Sequence, residues 1–519
     1  MSHLLTISDA VATHARVNPH RLGARDSKRE LNYAQWDSRA SSLASGLLEL
    51  GLKKGDRVGV LAYNCIEWME IYVALARAGL VTVPLNFRLR GAEISYILEH
   101  CEASALIAGE EFTELVDSIR NDVSLEGSNY ISLGSSAPEG WAPYESLAGS
   151  VSDRKAQFGK VAPEDTFALL YTSGTTGKPK GAIRNHEGNS LIAMATAVEM
   201  EFTADDTGLL VMPMCHANSI YFALTFIYLG APCIIDDSPS FDPESLLKKL
   251  SEEKVTFTSL VPTHYIMLLS LPVEVKSRYN MDSVGKLMIS SAPARKDTKL
   301  AIMDYFRNGK LYELYGSTEA GWVTLLRPEE QITKLGSVGR EWAFSGPIKL
   351  LDANGEEVAD GQVGELFSRT AYAFAGYWRN NEKTLEAFNG EWCSVGDMAR
   401  RDEDGYIWLV DRKSNMIISG GENVYPSEVE GVVGGHPSIK DVAVIGVADE
   451  KWGEAVQAVA VLHQGETITE KELRDWVKER IAGYKCPRSI VFIDDKDMPR
   501  TATGKILHRV LREQVVKSS

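Results

Sequence analysis

Short apolar runs alternate with segments of helical spacing over most of the chain. Residues 57–63 (RVGVLAY) follow Lys-Gly-Asp and predict a strand. Residues 66–78 carry apolar side chains at helical spacing and 80–85 (LVTVPL) predict a second strand, so these segments form a βαβ unit. Similar strand patterns recur at residues 167–172, 257–261, 286–290 and 311–315. The alternation predicts an α/β fold of largely parallel sheets with packed helices.

The pattern changes after about residue 412, where the polar segment 411–415 begins. Strand and helix patterns of a smaller sheet follow, at residues 441–446, 455–463, 470–481 and 490–493. We therefore predict a large N-terminal domain over residues 1–412 and a smaller α+β C-terminal domain over residues 413–519. A chain of 519 residues is also too long for one compact core.

The charge balance narrows the set of partners. Lys and Arg number 55 against 71 Asp and Glu, which gives a net charge of -16. A protein that binds nucleic acid or an anionic membrane usually carries a basic surface, so neither partner is expected. A polyanionic ligand would need a positive field built locally at its site.

Targeting and metal patterns are missing from the sequence. Residues 1–16 lack the basic and apolar regions of a signal peptide. The most apolar stretch, residues 220–229, is far shorter than the ~20 residues that span a bilayer. The six cysteines are scattered without a CxxC pair, which is typical of reduced thiols in a cytoplasmic protein without a zinc site.

Residues 172–181 (TSGTTGKPKG) form the most informative motif and directly follow a predicted strand. Glycines allow backbone N–H groups to turn toward an anion, and the hydroxyl side chains add hydrogen-bond donors. The loop therefore suits the β- and γ-phosphates of a nucleotide. It is not a Walker A loop, because two residues rather than four separate Gly174 from Gly177 and Pro179 follows Lys178.

Other motifs follow along the chain, at residues 290–294 (SSAPA), 315–319 (YGSTE), 396–397 (GD), 411–412 (DR), 419–426 (SGGENVYP) and 499–506 (PRTATGKI). In this order, over nearly the whole chain, they resemble the motifs of the adenylate-forming superfamily. That superfamily includes acyl-CoA synthetases, the adenylation domains of nonribosomal peptide synthetases and beetle luciferases. Each motif alone could be an ordinary polar turn, but the complete series is specific.

The resemblance implies a site for ATP and Mg²⁺. Tyr315 would stack on adenine, Asp397 would bind the ribose, and Glu319 with Thr175 would hold the metal. A carboxylate beside phosphates is a suitable ligand for a hard dication. The implied nucleotide-binding residues are Thr172, Ser173, Gly174, Thr175, Thr176, Gly177, Lys178, Lys180, Ala292, Pro293, Tyr315, Gly316, Ser317, Asp397 and Arg412.

The implied catalytic residues are Lys505, Glu319, Thr318 and His216. The carboxylate of the acid and the α-phosphate that it attacks are both negatively charged and repel each other. A positioned ammonium such as that of Lys505 would offset the charge that develops on the phosphoryl oxygens. Thr318 would contact the α-phosphate, and His216 would border the acyl site, although a hydrogen-bonded core histidine is a serious alternative.

Coenzyme A binding is implied by residues of the C-terminal domain, namely Ser419, Gly420, Gly421 and Glu422. In the superfamily the small domain rotates after adenylation and brings this loop to the thiol channel. The hinge position is Ser414 here, where relatives more often carry a charged residue. A serine tolerates the required backbone rotation but leaves the balance between the two orientations open.

The acyl pocket is expected at His216, Ala217, Asn218, Ile220 and Trp322. Aliphatic and aromatic residues nearby suit an apolar acid, either a medium- or long-chain fatty acid or an aryl or alicyclic acid. Residues 217–221 contain no carboxylate that would bind a substrate amine, which argues against amino-acid adenylation.

The sequence therefore predicts an AMP-forming acid–CoA ligase that uses a carboxylic acid, ATP, Mg²⁺ and coenzyme A. The alternative is an adenylating enzyme of the same superfamily that passes the acyl group to an acceptor other than CoA. Luciferase-like oxygenation uses the same scaffold and is a weaker alternative that the motifs do not exclude. An inactive nucleotide-binding protein is also a weaker alternative, since Lys505 and Glu319 are both present. The sequence predicts no integral membrane association and leaves a homodimer open.

Overall fold

The computed structural model describes residues 5–134, 136–149, 158–172, 178–292, 294–419, 422–449, 451–500 and 506–518. The chain divides into two compact units. The first comprises Met1–Pro347 and Ser368–Cys393, and the second comprises Ile348–Phe367 and Ser394–Ser519. This division differs from the predicted boundary at residue 412, because a small sheet that precedes residue 412 groups with the second unit. The predicted domain boundary itself stays a prediction.

The strands of the described residues are, in chain order, β1 (Leu22–Arg25), β2 (Glu30–Asn32), β3 (Arg57–Leu61), β4 (Val81–Leu85), β5 (Ala103–Ala108), β6 (Tyr130–Ser132), β7 (Ala142–Pro143), β8 (Thr166–Thr172), β9 (Lys180–Asn185), β10 (Gly208–Leu210), β11 (Cys233–Ile235), β12 (Phe257–Leu260), β13 (Lys286–Ser290), β14 (Lys310–Ser317), β15 (Gly321–Leu326), β16 (Arg340–Glu341), β17 (Lys349–Leu351), β18 (Val363–Phe367), β19 (Phe388–Asn389), β20 (Trp392–Cys393), β21 (Asp397–Arg401), β22 (Ile407–Arg412), β23 (Ile417–Ser419), β24 (Glu422–Val424), β25 (Ile439–Asp449), β26 (Gly453–Leu462) and β27 (Ser489–Phe492).

The α-helices of the same residues are α1 (Ile7–Val17), α2 (Tyr33–Glu49), α3 (Glu67–Ala78), α4 (Gly91–Cys101), α5 (Thr113–Asp117), α6 (Tyr144–Ala148), α7 (His186–Glu199), α8 (Ala217–Leu229), α9 (Pro243–Glu252), α10 (Pro262–Leu269), α11 (Val273–Lys276), α12 (Lys296–Tyr305), α13 (Asn381–Ala387), α14 (Pro426–Val433), α15 (Glu470–Lys478) and α16 (His508–Ser518). Within the described ranges, no helix is long and apolar enough to span a bilayer.

Two large sheets form the first unit. One has seven strands in the order β7-β6-β5-β3-β4-β8-β9, and all neighbours are parallel except β8 and β9. The other has nine strands in the order β16-β15-β14-β13-β12-β10-β11-β1-β2, with antiparallel pairs only toward its two edges. The prediction of an α/β fold with largely parallel sheets is therefore confirmed.

Helices cover both faces of each large sheet. Alternate side chains of β3 and β5 pack in two separate cores, with Val58 and Ile107 on one face and Leu61 and Leu106 on the other. The first core contains α2, α3, α7 and α8 and also receives Met288 from β13 of the nine-stranded sheet. Helix α4 covers the outer face of the seven-stranded sheet, and α9, α10 and α12 cover that of the other. The first unit is therefore a five-layer αβαβα arrangement.

The second unit contains two smaller sheets. Strands β17-β18-β21-β22 form an antiparallel sheet, while β24-β23-β26-β25, with β27 beside β26, form another. Side chains alternate along β25, because Val442 and Val444 pack with α14 and α15 while Ala443 and Ile445 pack with Leu511 of α16. The predicted C-terminal strands and amphipathic helix are all present, within a few residues of the predicted ends.

A buried ion cluster stabilises the central helix layer of the first unit. The Glu70 side chain on α3 is 0% exposed. Its carboxylate accepts hydrogen bonds from Arg29 at 2.7 Å, from Arg39 at 2.6 Å and from Tyr144 at 2.8 Å. Burial of a carboxylate is unfavourable unless donors surround it, and here three side chains supply them.

We expect Glu70→Ala to lower the free energy of unfolding by about 3–5 kcal/mol, because it leaves two guanidinium groups without their buried partner. Urea denaturation followed by circular dichroism measures the change. Glu145→Ala is the matched control, since Glu145 also binds Arg39, at 2.7 Å, but is partly exposed. Its effect should stay below about 1 kcal/mol. Equal losses of unfolding free energy for the two variants would contradict the stabilising role given to the buried Glu70 cluster.

Candidate active site

The carboxyl ends of two parallel sheets come together in the first unit. Thr172 is the last residue of β8 in the seven-stranded sheet, and Glu319 follows the end of β14 in the nine-stranded sheet. The Thr172 hydroxyl donates to Oε1 of Glu319 at 3.3 Å. Ligands of open α/β sheets bind outside the carboxyl ends of the strands. The contact therefore brings two of the predicted nucleotide-binding motifs together.

The Glu319 carboxylate is buried and held from one side. The residue is 7% exposed, and its Oε1 also accepts a hydrogen bond from the Tyr377 hydroxyl at 2.8 Å. Among the described residues, no donor reaches Oε2. The ammonium of Lys180 lies 4.1 Å from the centroid of the Tyr377 ring, so a positive charge stands close to this carboxylate. One oxygen atom is thus fixed while the other is available to a ligand.

Arg184 supports the same loop from the interior. It lies on β9, is 1% exposed, and its Nη1 donates to the carbonyl oxygens of Thr318 and Glu319 at 3.3 and 3.2 Å. Its guanidinium carbon lies 5.2 Å from the centroid of the Tyr221 ring on α8. These contacts tie the backbone that follows β14 to the neighbouring sheet.

The turn between β14 and β15 needs a glycine at its base. A Cβ atom on Gly316 would lie 2.3 Å from the carbonyl oxygen of Gly321 on the facing strand, so a larger residue does not fit. The Ser317 hydroxyl accepts a hydrogen bond from the Ala320 amide at 2.9 Å. The predicted adenine-stacking residue, Tyr315, is half-buried one position before Gly316. The motif is therefore a tight hairpin that fixes the direction of Glu319.

The donor set around Glu319 fits a magnesium ion held mainly by substrate. Within the described ranges there is no group of three His, Cys, Asp or Glu side chains that could cage a metal. Mg²⁺ is usually bound by one or two carboxylates together with phosphate oxygens and water. Oε2 of Glu319, which no donor of the described residues reaches, satisfies that requirement.

His216 is held as a neutral imidazole before the first turn of α8. The side-chain amide of Asn86 lies 3.4 Å from its Nε2, and the other end of this amide accepts the Arg88 N–H at 3.0 Å. An amide nitrogen only donates, so Nε2 is the accepting nitrogen. Burial, together with the charge of Arg88, lowers the pKa of His216 to about 4. The side chain is therefore uncharged at neutral pH.

The predicted acyl-pocket residues separate into two groups. Asn218 donates from Nδ2 to the Ser290 hydroxyl at 3.0 Å, which places it beside the strand that leads to Ala292. Ile220 and Trp322 pack in the core of the first unit, where the Trp322 indole N–H donates to Thr196 at 2.9 Å. The structure thus brings Asn218 close to the nucleotide motifs, while Ile220 and Trp322 lie among core side chains.

The second unit pairs two predicted nucleotide-binding residues, the ribose-binding Asp397 and Arg412. Asp397 on β21 faces Arg412 on β22, and Arg412 Nε lies 3.0 Å from a carboxylate oxygen of Asp397. The predicted hinge residue is held by the last helix, since the Arg512 guanidinium donates to the carbonyl oxygens of Ser414 at 3.1 Å and Asn415 at 2.9 Å. Both arrangements are internal to the second unit.

The second unit also carries the predicted CoA-binding segment. Ser419 is buried at the end of β23 and is the register partner of Glu422, which is exposed on β24. Several predicted site residues lie outside the described ranges: Ser173, Gly174, Thr175, Thr176, Gly177, Pro293, Gly420, Gly421 and Lys505. Lys178 is described, and its ammonium lies 5.4 Å from the centroid of the Tyr96 ring.

Comparison with known proteins identifies the family. Residues 11–378 match the family described as AMP-binding enzyme, and residues 428–505 match the AMP-binding enzyme C-terminal domain. The chain belongs to the AMP-binding enzyme family. The predicted resemblance to the adenylate-forming superfamily is therefore confirmed.

Individual members of the AMP-binding family align with nearly the whole chain. An indoleacetate–CoA ligase of Aromatoleum aromaticum is 32% identical over 99% of both chains. A feruloyl-CoA synthase of an Amycolatopsis species is 34% identical over 96% of this chain and 97% of its own. The crystal structure of the anthranilate CoA ligase AuaEII with anthranoyl-AMP superposes with a TM-score of 0.88 at 25% identity, covering 100% of this chain and 99% of that one.

Three residues of the site were not predicted from the sequence. Tyr377, Arg184 and Asn86 contact predicted residues but lie in segments without a recognised motif. Tyr377 is 58 residues from Glu319 along the chain, and Asn86 is 130 residues from His216. A usable signal for Arg184 was its charge directly after the apolar residues Ala182 and Ile183, in the strand that follows the glycine-rich loop.

Because the pKa of His216 lies near 4, its charge should not change between pH 5.5 and 8. We expect the adenylation rates of the wild type and of His216→Asn to depend on pH with the same shape in this range. Pyrophosphate release measured across the range tests this. A change in the adenylation rate near pH 6.5 that occurs in the wild type but not in the variant would contradict the lowered pKa. An NMR titration of the His216 imidazole measures that pKa independently.

Proposed function

We propose that this chain is an AMP-forming acid–CoA ligase. In the first half-reaction, a carboxylate oxygen of the acid attacks the α-phosphorus of ATP, and the bond to pyrophosphate breaks. In the second, the CoA sulfur attacks the acyl carbon of the acyl-AMP, AMP leaves, and the thiol proton passes to solvent. The products are acyl-CoA, AMP and pyrophosphate.

The observation that carries this proposal is the half-free Glu319 carboxylate where the strand ends of two sheets meet. Its Oε1 is fixed by Thr172 and Tyr377, and in the part of the chain that the structure describes no donor reaches Oε2. A buried carboxylate of this kind is suited to a divalent cation that arrives with a nucleotide. Both family domains are also present, as the two half-reactions require.

Glu319, with Thr175 as a further ligand, would hold the magnesium ion. When bound, the ion offsets negative charge on the phosphate oxygens. The chain contributes its own positive charge through Lys180, which lies beside Tyr377, and through Lys505 in adenylation. These local cations matter because the protein as a whole has a net charge of -16 and would repel ATP.

The second unit would supply the ribose contact and the thioester step. Asp397 carries a carboxylate that can accept hydrogen bonds from both ribose hydroxyls, and Arg412 already orients it at 3.0 Å. Ser419 to Glu422 would lie beside the pantetheine arm of CoA, and rotation about Ser414 would exchange Lys505 for this segment. Arg512 holds the hinge carbonyls from the last helix.

The acid is proposed to have an apolar body. Two similar enzymes are named for indoleacetate and ferulate, which are aryl acids. Around Asn218, the first core of the chain supplies aromatic side chains such as Phe222 and Phe257. An aryl, alicyclic or longer aliphatic acid fits such surroundings better than acetate does.

Incubation with ATP, Mg²⁺, CoA and a panel of aryl, alicyclic and fatty acids tests the proposal. We expect stoichiometric AMP and thioester with at least one acid class. Formation of acyl-AMP without a thioester at saturating CoA would instead indicate an acceptor other than CoA, and absence of both products with all acids would reject an acid-activating function.

Tyr377→Phe should slow adenylation about tenfold or more, because a hydrogen bond to a charged group contributes about 1.5–3 kcal/mol. The dependence of pyrophosphate release on Mg²⁺ concentration should shift as well. Tyr372→Phe is the matched control: its hydroxyl is buried and donates to Trp322 O at 2.9 Å, away from the Glu319 carboxylate. Equal rates for Tyr377→Phe and the wild type would contradict the role given to this hydroxyl.

Lys505→Ala should nearly abolish acyl-AMP formation while thioester formation from supplied acyl-AMP continues, since the lysine acts only on the phosphoryl transfer. Rapid-quench assays of each half-reaction measure the two rates. Gly421→Trp should do the opposite, because a bulky residue would block the thiol arm. If each variant impaired both half-reactions equally, the proposal that Lys505 acts in adenylation and Gly421 in thioester formation would be wrong.

A further inference from the structure

Both ends of the glycine-rich loop are contacted from the outer face of the seven-stranded sheet. Tyr171, the residue before Thr172, is half-buried on β8, and residues 178–181 lead into β9. Helix α4 covers this face of the sheet. Two of its side chains, Tyr96 and His100, reach the two ends of the loop.

His100 contacts the strand that enters the loop. Its Nδ1 lies 2.7 Å from the Tyr171 hydroxyl, and the two rings meet edge to face with their centroids 5.8 Å apart. Burial raises the pKa of Tyr171 and lowers that of His100, so both side chains are uncharged at neutral pH. This hydrogen bond between neutral groups fixes the Tyr171 ring and, with it, the backbone that leads to Thr172.

Tyr96 contacts the part of the chain that leaves the loop. Its hydroxyl donates to the Pro179 carbonyl oxygen at 3.3 Å, and the ammonium of Lys178 lies 5.4 Å from the centroid of its ring, within the range of a cation–π interaction. The Tyr96 ring also stacks on His100, with the ring centroids 5.4 Å apart. Residues four positions apart share one face of a helix, so a single face of α4 contacts both ends of the loop.

The two ends are also joined to each other. Tyr171 and Gly181 are register partners on β8 and β9, and a Cβ atom on Gly181 would lie 3.1 Å from the Tyr171 ring. Trp378 donates its backbone N–H to the Gly181 carbonyl oxygen at 2.8 Å and its indole N–H to the His100 carbonyl oxygen at 3.2 Å. Trp378 directly follows Tyr377. The cluster thus connects the loop ends to the segment that reaches the candidate site.

The polar atoms of α4 do more than cover the sheet. Apolar side chains are sufficient to bury this face, and α4 supplies them at Ile94, Ile97 and Leu98. Tyr96 and His100 add hydrogen bonds, which depend on angle as well as on distance. Such bonds fix the position of the segments that they contact, whereas burial of apolar area alone is not directional.

We propose, on the basis of the acid–CoA ligase function above, that Tyr96, His100 and Tyr171 are positioning residues for the β- and γ-phosphates of ATP. They fix Thr172 and Lys178 at the ends of the loop and do not themselves contact the nucleotide. Phosphoryl transfer depends on groups that are already in place around the phosphates. AMP lacks both of these phosphates, so the cluster contributes neither to AMP binding nor to the attack of CoA on acyl-AMP.

Nucleotide binding by Tyr171→Phe and His100→Leu tests the proposal. Isothermal titration calorimetry, without acid, measures the dissociation constants of Mg·ATP and of AMP. We expect the affinity for ATP to fall about three- to tenfold, the effect of one lost hydrogen bond between neutral groups, while the affinity for AMP changes less than about twofold. The kcat/KM for ATP in pyrophosphate release should fall to the same extent, and thioester formation from supplied acyl-AMP should keep the wild-type rate.

Two further variants serve as controls. His100→Asn places an amide where the imidazole has Nδ1, and an amide can donate to or accept from the Tyr171 hydroxyl, so this variant should recover most of the affinity for ATP. Tyr130→Phe should bind ATP like the wild type. Tyr130 is 2% exposed in the same outer core but lies on β6, toward the opposite edge of the sheet from β8.

Two results would overturn the inference: wild-type affinity for ATP in both Tyr171→Phe and His100→Leu, or equal losses of affinity for ATP and AMP, which would show a general loss of structure. Failure of the ligase function is recognised separately, because the wild type would then form no acyl-AMP with any acid, whereas the binding measurements use no acid. A wild type that bound neither nucleotide would reject the proposed function and the positioning role together.

Discussion

The site depends on how one buried carboxylate is surrounded. Glu319 lies where the carboxyl ends of strands from two sheets meet, and burial of its charge requires donors. Thr172 comes from one sheet, and Tyr377 comes from a segment that follows both sheets in the chain. Among the described residues these donors reach only Oε1, so they fix the direction of the carboxylate and leave Oε2 for the proposed cation. The same contacts therefore stabilise the loop and prepare it for function.

Two positively charged residues near the site, Arg184 and Lys180, make different contacts. Arg184 is enclosed and binds backbone carbonyls of the Glu319 loop, so it acts on the position of the loop. Lys180 lies against the Tyr377 ring and contributes a positive field at the carboxylate. A protein with a net charge of -16 needs such a field to attract ATP. Positioning and attraction are thus supplied by separate residues of the same strand, β9.

The acid side of the site is predicted on α8 and its neighbours. His216, at the start of this helix, is neutral because burial and Arg88 disfavour its protonated form. Asn218 on α8 donates to the Ser290 hydroxyl at the end of β13, directly before the predicted adenine-lining turn.

The sequence by itself determined the βαβ pattern, the glycine-rich loop after β8 and the YGSTE turn, because periodicity, glycine and charged residues act over a few neighbouring positions. It also indicated the family, since the motifs occur in order. Only the tertiary structure showed that Tyr377 reaches Glu319, that Asn218 binds Ser290, and that Ile348–Phe367 groups with the second unit. These outcomes join residues far apart in the chain, and packing of sheets and helices decides them without a local signal.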